Sequence, residues 1–313
     1  MKSRRSFIKQ TTLGTAAWLT LPHLGNSEYL KPKLKISLAQ WSLHRALEAG
    51  KIDNLDFAGI ARNKFNIGAV EYVNQFFKTA TLDFKQAGAN TKYLNEVLKR
   101  SKDHGVYNHL IMVDNEGSLA LPNDAERLPA IENHKKWIDA AKHLGCATVR
   151  VNLHGEGSSA DKQAASIDSL GKLGEYAAPL GINVVMENHG SDSSNGKWVA
   201  AVMKAINKPN VGTLPDFGNF CISHPWGQTQ DPCTNEYDRY MGVSEMLPFA
   251  KGVSAKTYDF NAKGEQAIID YPHLIDIVKK SGFTGYIGIE YEGYNGAEEE
   301  GIRLTKKLLE KYL

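Results

Sequence analysis

Four apolar, β-prone segments of this sequence each end in a polar residue suited to acid–base or metal chemistry: Glu187, Asp216, Lys256 and Glu290. Burying an unpaired carboxylate at the end of a strand is costly, because the charge loses its hydration. Successive strands that end this way at one edge of a sheet therefore indicate a shared pocket. Its carboxylates would hold a metal ion or transfer protons, which indicates an enzyme.

The alternation of residues in these segments indicates which side faces the pocket. Side chains in a strand alternate between two faces, so Glu290 and Glu292 share a face, while Ile287 and Ile289 share the other. In the segment 148–154 the even-numbered residues are polar, and the odd-numbered residues from 149 to 153 are aliphatic. A polar interior under an apolar exterior is typical of the upper layer of a closed barrel.

A repeated unit of amphipathic helix, glycine, short link and apolar strand runs from residue 34 onward. Glycine just past a helix supplies the left-handed conformation that ends it. Strands are predicted to begin near residues 34, 69, 107, 148, 183, 211, 252 and 286. Their spacing leaves room for a crossover helix each time. The sequence therefore predicts a single (β/α)8 TIM barrel over residues 34–313, with its active site at the carboxyl ends of the strands.

Composition limits the classes of function. The 313 residues are 42% hydrophobic and 23% charged, as in an ordinary globular protein. A formal net charge of +2 gives no electrostatic reason to expect a nucleic-acid partner. No uninterrupted apolar span reaches the length of a transmembrane helix. Of the three cysteines, Cys221 and Cys233 would pair in an oxidising compartment, but free thiols are the favoured prediction.

The first 27 residues resemble a twin-arginine export signal. Arg4 and Arg5 are adjacent, Phe7 and Lys9 follow, and a modestly apolar stretch comes next. We therefore expect residues 1–27 to lie outside the barrel and the protein to be periplasmic or otherwise exported, with no membrane attachment after export. The alternative is a merely basic N-terminus.

Side chains from seven strands are expected to meet in the pocket. They are Glu71, Asp114, Asn152, His154, Glu187, His189, Asp216, Lys256 and Glu290. Several have alternatives: Glu187 and Lys256 as structural ion-pair partners, Glu290 as a solvated loop carboxylate, His154 and His189 as structural histidines, and Asp216 as a turn residue. Glu292 is more simply a solvated loop carboxylate, and His44 a surface or packing residue.

Aromatic side chains could bind a sugar ring by stacking on it. The candidates are Trp41, Trp226 and Phe77, each also acceptable as a packing residue. Trp226 lies in the segment 220–240, which is rich in Pro, Cys, Trp and Asn. This segment is predicted to form a loop over the mouth of the pocket.

Strands five to eight resemble the xylose-isomerase-like TIM-barrel family, which includes sugar isomerases, epimerases and endonuclease IV relatives. Its members end these strands with Glu, Asp, His-x-Lys and Glu, and here Glu187, Asp216 and Glu290 match the expected metal ligands. The His-x-Lys element is present as Ser254-Ala255-Lys256, without its histidine. Asn219 stands where many relatives have another histidine.

The resemblance implies a metal-assisted sugar isomerase or epimerase. Glu187 and Glu290 would exchange a proton beside a carbonyl and Lys256 would stabilise the enediolate oxygen, with Mn²⁺, Mg²⁺ or Zn²⁺ as the metal. Substrate contacts are expected from Glu71, His154, His189, Asn219 and Trp41. Ser254 leaves open either weaker metal binding or a metal-free site. Two other functions remain open: a lyase or hydrolase acting on a keto glycoside, and a non-catalytic exported sugar-binding protein.

The export signal gives the first testable prediction. Changing Arg4 and Arg5 together to Lys should leave folded protein in the cytoplasm, because the twin-arginine pathway requires the arginine pair. Cell fractionation and immunoblotting measure the distribution. Unchanged export of the double variant would contradict a twin-arginine signal.

Overall fold

The computed structural model describes residues 34–78 and 89–313, and within them eight parallel strands form one sheet. The strands are β1 (Lys35–Ala39), β2 (Ala69–Val73), β3 (Tyr107–Met112), β4 (Thr148–Val151), β5 (Asn183–Glu187), β6 (Val211–Leu214), β7 (Val253–Thr257) and β8 (Tyr286–Tyr291). Their first residues lie within one position of the predicted starts. The predicted set of eight strands is confirmed.

The sheet closes on itself as a barrel. Neighbouring strands follow the order β6-β5-β4-β3-β2-β1-β8-β7, and every ladder is parallel. The remaining β6–β7 seam is joined by two isolated bridges, Thr213 to Ala250 and Asp216 to Ser254. The fold is therefore the predicted single (β/α)8 TIM barrel, and one of its candidate site residues also helps to close it.

Helices connect the strands on the outside of the barrel. The α-helices are α1 (His44–Glu48), α2 (Phe57–Phe65), α3 (Ala89–Asp103), α4 (Asp124–Leu144), α5 (Ser159–Ala177), α6 (Gly196–Ile206), α7 (Arg239–Met246), α8 (Tyr271–Lys280) and α9 (Glu298–Tyr312). Short 3₁₀ helices cover Gln40–Leu43, Asn54–Asp56, Asn74–Phe76, Ala178–Leu180, Ser191–Ser194 and Leu247–Phe249.

Helix α4 illustrates how the sequence sets these elements. The Asn123 side chain accepts a hydrogen bond from the Ala125 amide at the start of the helix, and Gly145 ends it with a φ of 73°. Trp137 and Ile138 on its apolar stripe are buried against the barrel. Capping and the stripe together fix where the helix lies.

Two apolar layers support the polar site. The larger core lies between the strands and the helices and includes Ile287 and Ile289. A smaller cluster fills the barrel interior; it consists of Ala39, Val73, Leu110, Met112, Val185 and Leu214. The inward-facing polar residues therefore lie on an apolar floor, in agreement with the predicted alternation.

In the part of the chain that the structure describes, none of the helices has the length and apolar character needed to cross a bilayer. The proposed export signal, residues 1–27, lies outside the described residues.

Candidate active site

Three acidic side chains meet inside the barrel at the carboxyl ends of the strands. Glu187 ends β5, Glu290 lies in β8, and Asp216 lies two residues past the end of β6. All three are buried, and one carboxylate oxygen of each lies within 4.8 Å of the others. This spacing is compatible with one cation between them, so the acidic triad could hold a divalent metal ion.

Lys256, from β7, lies beside the triad. Its Nζ is 2.9 Å from Glu290 Oε1, 3.0 Å from Glu292 Oε1 and 3.9 Å from Asp216 Oδ2. Burial alone would lower the pKa of Lys256, but the surrounding carboxylates outweigh it and hold this pKa well above its usual value. Lys256 is therefore a permanent buried cation, and Glu292 is an ion-pair partner rather than the solvated loop carboxylate expected.

Small polar side chains occupy the two positions that differ from the family pattern. The Ser254 hydroxyl lies 2.6 Å from Asp216 Oδ2 and 3.1 Å from Glu290 Oε2, as a donor that bridges two carboxylates. Asn219 Nδ2 donates to Glu187 Oε1 at 3.3 Å. Where the family pattern has imidazole, these residues offer hydrogen bonds to the acidic groups.

Arg150, from β4, is a site residue that was not predicted from the sequence. Its Nη1 donates to Asp114 Oδ1 at 2.7 Å and to Asn152 Oδ1 at 3.0 Å. Its Nε lies 2.8 Å from Glu187 Oε2, as an ion-pair contact rather than an aligned hydrogen bond. The signal was present, because Arg150 is one of the even-numbered polar residues assigned to the barrel interior.

The site holds more buried negative than positive charge. Four carboxylates, those of Glu71, Glu187, Asp216 and Glu290, share the barrel interior with the two cations Arg150 and Lys256. Burial, together with repulsion from Glu290, raises the pKa of Glu71 and that of Asp216 to about 7 each. The same two causes raise the pKa of Glu187 well above its usual value. A divalent cation would relieve this repulsion, so the donor set fits such an ion by charge and by oxygen chemistry.

A cavity of about 480 Å³ opens above the triad. Its lining includes Trp41, His44, Arg45, Gln75, Asp114, Asn115, Arg150, His189, Asn219, Trp226, Gln228, Gln230, Glu290, Glu292 and Tyr294. Glu290 and Arg150 reach the cavity, whereas Glu187 and Asp216 are completely buried behind its floor. Its volume lies within the range of about 300–1,000 Å³ usual for ligand sites.

The expected substrate contacts fall in different places. Trp41, Asn219 and His189 line the cavity. His154 stands behind this wall, its ring centroid 5.7 Å from that of His189. Glu71 lies in the interior beneath the triad, where Ser37 Oγ donates to its Oε1 at 2.5 Å.

Burial lowers the pKa of both His154 and His189, and the positive charge of Arg150 adds to the effect. The two imidazoles are therefore neutral at ordinary pH, and each can donate and accept hydrogen bonds.

The expectation for His44 was wrong, and for Phe77 the packing alternative is confirmed. His44 lines the cavity and stacks on Trp41, with ring centroids 4.6 Å apart, because the 3₁₀ turn after β1 brings both to the barrel mouth. Phe77 does not stack at this cavity; it is buried in the outer core with its ring edge-on to those of Tyr72 and Trp137.

The segment 220–240 contributes to the wall of the cavity, as predicted. It connects β6 to α7 and supplies Trp226, Gln228 and Gln230 to the lining. Within it Cys221 and Cys233 form a disulfide, with Cα atoms 5.9 Å apart. The expectation of free thiols was therefore wrong for this pair, because the hairpin-like loop brings the two residues together; Cys146 is a buried free thiol.

The family model for the xylose isomerase-like TIM barrel matches residues 64–312. The chain belongs to this family. A comparison with curated protein sequences gave no match.

Solved structures share the fold at low sequence identity. L-ribulose 3-epimerase matches with a TM-score of 0.65 and 14% identity, over 90% of this chain and 95% of the other. The IolI protein with a bound zinc atom matches with a TM-score of 0.64 and 15% identity, over 90% and 99%. The 3-keto-D-glucoside 4-epimerase YcjR from E. coli matches with a TM-score of 0.64 and 13% identity, over 89% of this chain and 100% of the other.

The position of Arg150 gives a prediction about stability. Arg150→Met should lower the free energy of unfolding by about 3 kcal/mol, because it leaves the buried Glu187 and the half-buried Asp114 without their cation. Denaturant unfolding measures the change. Arg303→Met is the control, since its partners on α9 are solvent-exposed and its loss should matter little. Equal effects of the two substitutions would contradict a structural role for the Arg150 pairs.

The surplus of buried carboxylates gives a prediction about metal binding. Mn²⁺ at about 100 times its dissociation constant should add about 2.7 kcal/mol to the free energy of unfolding. Asp216→Asn should lose most of the resulting rise in melting temperature, whereas the exposed Asp276→Asn should keep it. Thermal unfolding with and without Mn²⁺ measures both. No rise in the wild type, or equal rises in all three proteins, would argue against this site.

Proposed function

We propose that this protein is a metal-assisted sugar isomerase or epimerase that moves a proton beside a carbonyl group. The observation that carries the proposal is the buried triad of Glu187, Asp216 and Glu290 beneath a ligand-sized cavity. Membership of the xylose isomerase-like family, and the fold shared with sugar epimerases, support the enzyme class.

The triad residues Glu187, Asp216 and Glu290 would hold the metal, which supplies a Lewis acid for the substrate carbonyl. Glu290 reaches the cavity, so its carboxylate is assigned the removal of the proton beside the carbonyl. Glu187 is assigned the return of the proton at the neighbouring carbon or on the opposite face. Arg150 and Asn219 contact the Glu187 carboxylate, which is buried behind the cavity floor, so this second step requires that the carboxylate gain access to the cavity.

Lys256 has two possible roles in this proposal. Its ammonium group would stabilise negative charge that develops on the substrate oxygen. Its contacts with Glu290 and Glu292 equally support a role as the counter-ion of the site. The first role acts on turnover and the second on folding, so one substitution separates them.

We also propose that the protein is exported. The Cys221–Cys233 disulfide supports this location, because such bonds persist mainly in oxidising compartments. The location in turn makes an unphosphorylated sugar the favoured substrate.

The proposed chemistry predicts solvent exchange. Turnover of a sugar panel in D₂O with Mn²⁺ should place deuterium on the carbon beside the carbonyl, measured by NMR and mass spectrometry. Glu290→Gln should abolish the exchange while the protein remains folded. Conversion without deuterium would contradict proton transfer, and release of a second molecule would identify elimination or hydrolysis instead. Sugar binding without any conversion would identify a binding protein.

The role of Lys256 is tested separately. Lys256→Met should lower kcat by about 100-fold or more with little change in KM, since charge stabilisation acts mainly in the transition state. Lys280→Met is the control, because Lys280 pairs with Asp276 on the surface. Normal turnover of Lys256→Met with a reduced melting temperature would assign Lys256 to ion pairing alone.

A further inference from the structure

The cavity has an outer wall that the proposed proton transfer does not use. Trp226, Gln228 and Gln230 all lie between the two cysteines of the disulfide and line the cavity from one side. We call residues 221–233 the disulfide loop. Tyr294, which follows β8, also lines the cavity, and its hydroxyl donates to Asp231 Oδ2 in the disulfide loop at 2.9 Å.

This wall exposes large aromatic surfaces beside a polar cavity. Trp226 is 49% exposed and Tyr294 is 60% exposed. An aromatic ring that is exposed at the edge of a ligand-sized cavity offers an apolar face on which a ligand can stack. A sugar ring is a suitable partner, because its C–H bonds lie on its faces and its hydroxyl groups lie at its edge.

Polar atoms without partners surround Trp226. His154 Nε2, His189 Nδ1 and Gln228 Oε1 are buried and have no hydrogen-bond partner among the described residues. The rings of His154 and His189 lie 4.9 and 5.3 Å from that of Trp226, centroid to centroid. Buried polar atoms are normally satisfied. His189 and Gln228 line the cavity, so hydroxyl groups of a ligand there would be the partners that these two side chains lack.

The disulfide loop is held in place before any ligand binds. Besides the disulfide, the Cys221 amide donates to the Gly227 carbonyl at 2.8 Å, and Thr229 Oγ1 donates to the Gly218 carbonyl at 2.8 Å. The loop also packs directly on the end of β5: a Cβ at Gly190, whose φ is 90°, would lie 2.2 Å from the Pro225 carbonyl oxygen. The outer wall is therefore preformed, which limits the entropy lost on binding.

We propose that the outer half of the cavity is a second sugar-binding subsite built by the disulfide loop, so that the substrate is a glycosylated sugar with at least two rings. The reacting ring lies over Glu290, and the second ring stacks on Trp226 with its hydroxyl groups bonded to the lining residues Gln228 and His189. This inference rests on the proposed function, because the reacting ring is placed by the chemistry assigned to Glu290. The cavity volume of about 480 Å³ suits a disaccharide, which is of the size that such cavities enclose.

The test compares the affinities of monosaccharides and disaccharides for the Mn²⁺-loaded protein. Calorimetry would measure the binding of D-glucose and D-fructose and of four disaccharides. Maltose and cellobiose carry glucose substituted at O4 through opposite anomers, and turanose and lactulose carry fructose substituted at O3 and O4. At least one disaccharide should bind about 10-fold more tightly than its monosaccharide, which corresponds to about 1.4 kcal/mol.

Two substitutions should remove this preference by different routes. Trp226→Ala deletes the stacking surface, and Cys233→Ser releases the disulfide loop. Each substitution should weaken the binding of the preferred disaccharide about 10-fold, while the affinity for the monosaccharide should change less than about 2-fold. Tyr107→Ala, an exposed aromatic at the amino end of β3, and Cys146→Ala, at the buried free thiol, are the matched controls and should change neither.

Disaccharides that bind no more tightly than their monosaccharides would overturn the second subsite. An equal loss of both affinities in Trp226→Ala would also overturn it, by assigning Trp226 to the reacting ring. In either case solvent deuterium exchange on a monosaccharide would leave the proposed function intact. If none of the six sugars binds or exchanges, the inference and the proposed function both fail.

Discussion

The structure depends on the burial of a surplus of negative charge inside a closed barrel. Four carboxylates lie in the interior with two cations, and the raised pKa values of Glu71, Glu187 and Asp216 express the cost of burying them and of their mutual repulsion. A protein keeps such an arrangement only if further positive charge or protons balance it. A bound divalent cation is the simplest source of that charge, and it is also the agent that the proposed chemistry needs.

The same residues connect the site to the closure of the barrel. The β6–β7 seam is held at its upper end by the bridge between Asp216 and Ser254, and Ser254 then directs its hydroxyl to the Asp216 and Glu290 carboxylates. Arg150, from β4, contacts Glu187, and Lys256, from β7, contacts Glu290. The metal-competent oxygens are therefore positioned by strands rather than by loops, whereas the wall that would select the substrate is a loop fixed by a disulfide.

Much of this arrangement could be predicted from the sequence. The alternation of polar and apolar side chains, and the glycines that follow the helices, located all eight strands. The residues at the strand ends identified Glu187, Asp216, Lys256 and Glu290. Arg150 was missed because the alternation of side chains along a strand shows that Arg150 faces inward, but it does not show which carboxylates Arg150 contacts. His44 and the Cys221–Cys233 disulfide were missed because both depend on how a loop or a 3₁₀ turn folds back over the barrel mouth. That path is set by long-range packing, such as the contact of the loop with Gly190, and local sequence does not encode it.

The central claim is that the triad of Glu187, Asp216 and Glu290 holds one divalent cation. Anomalous diffraction from crystals grown with Mn²⁺, recorded at the manganese absorption edge, tests it most directly. The account predicts one strong peak with an oxygen of each of the three carboxylates within about 2.0–2.6 Å. Contradiction would come from a map with no peak there, or with the manganese bound elsewhere while Lys256 and Ser254 keep their contacts to Glu290.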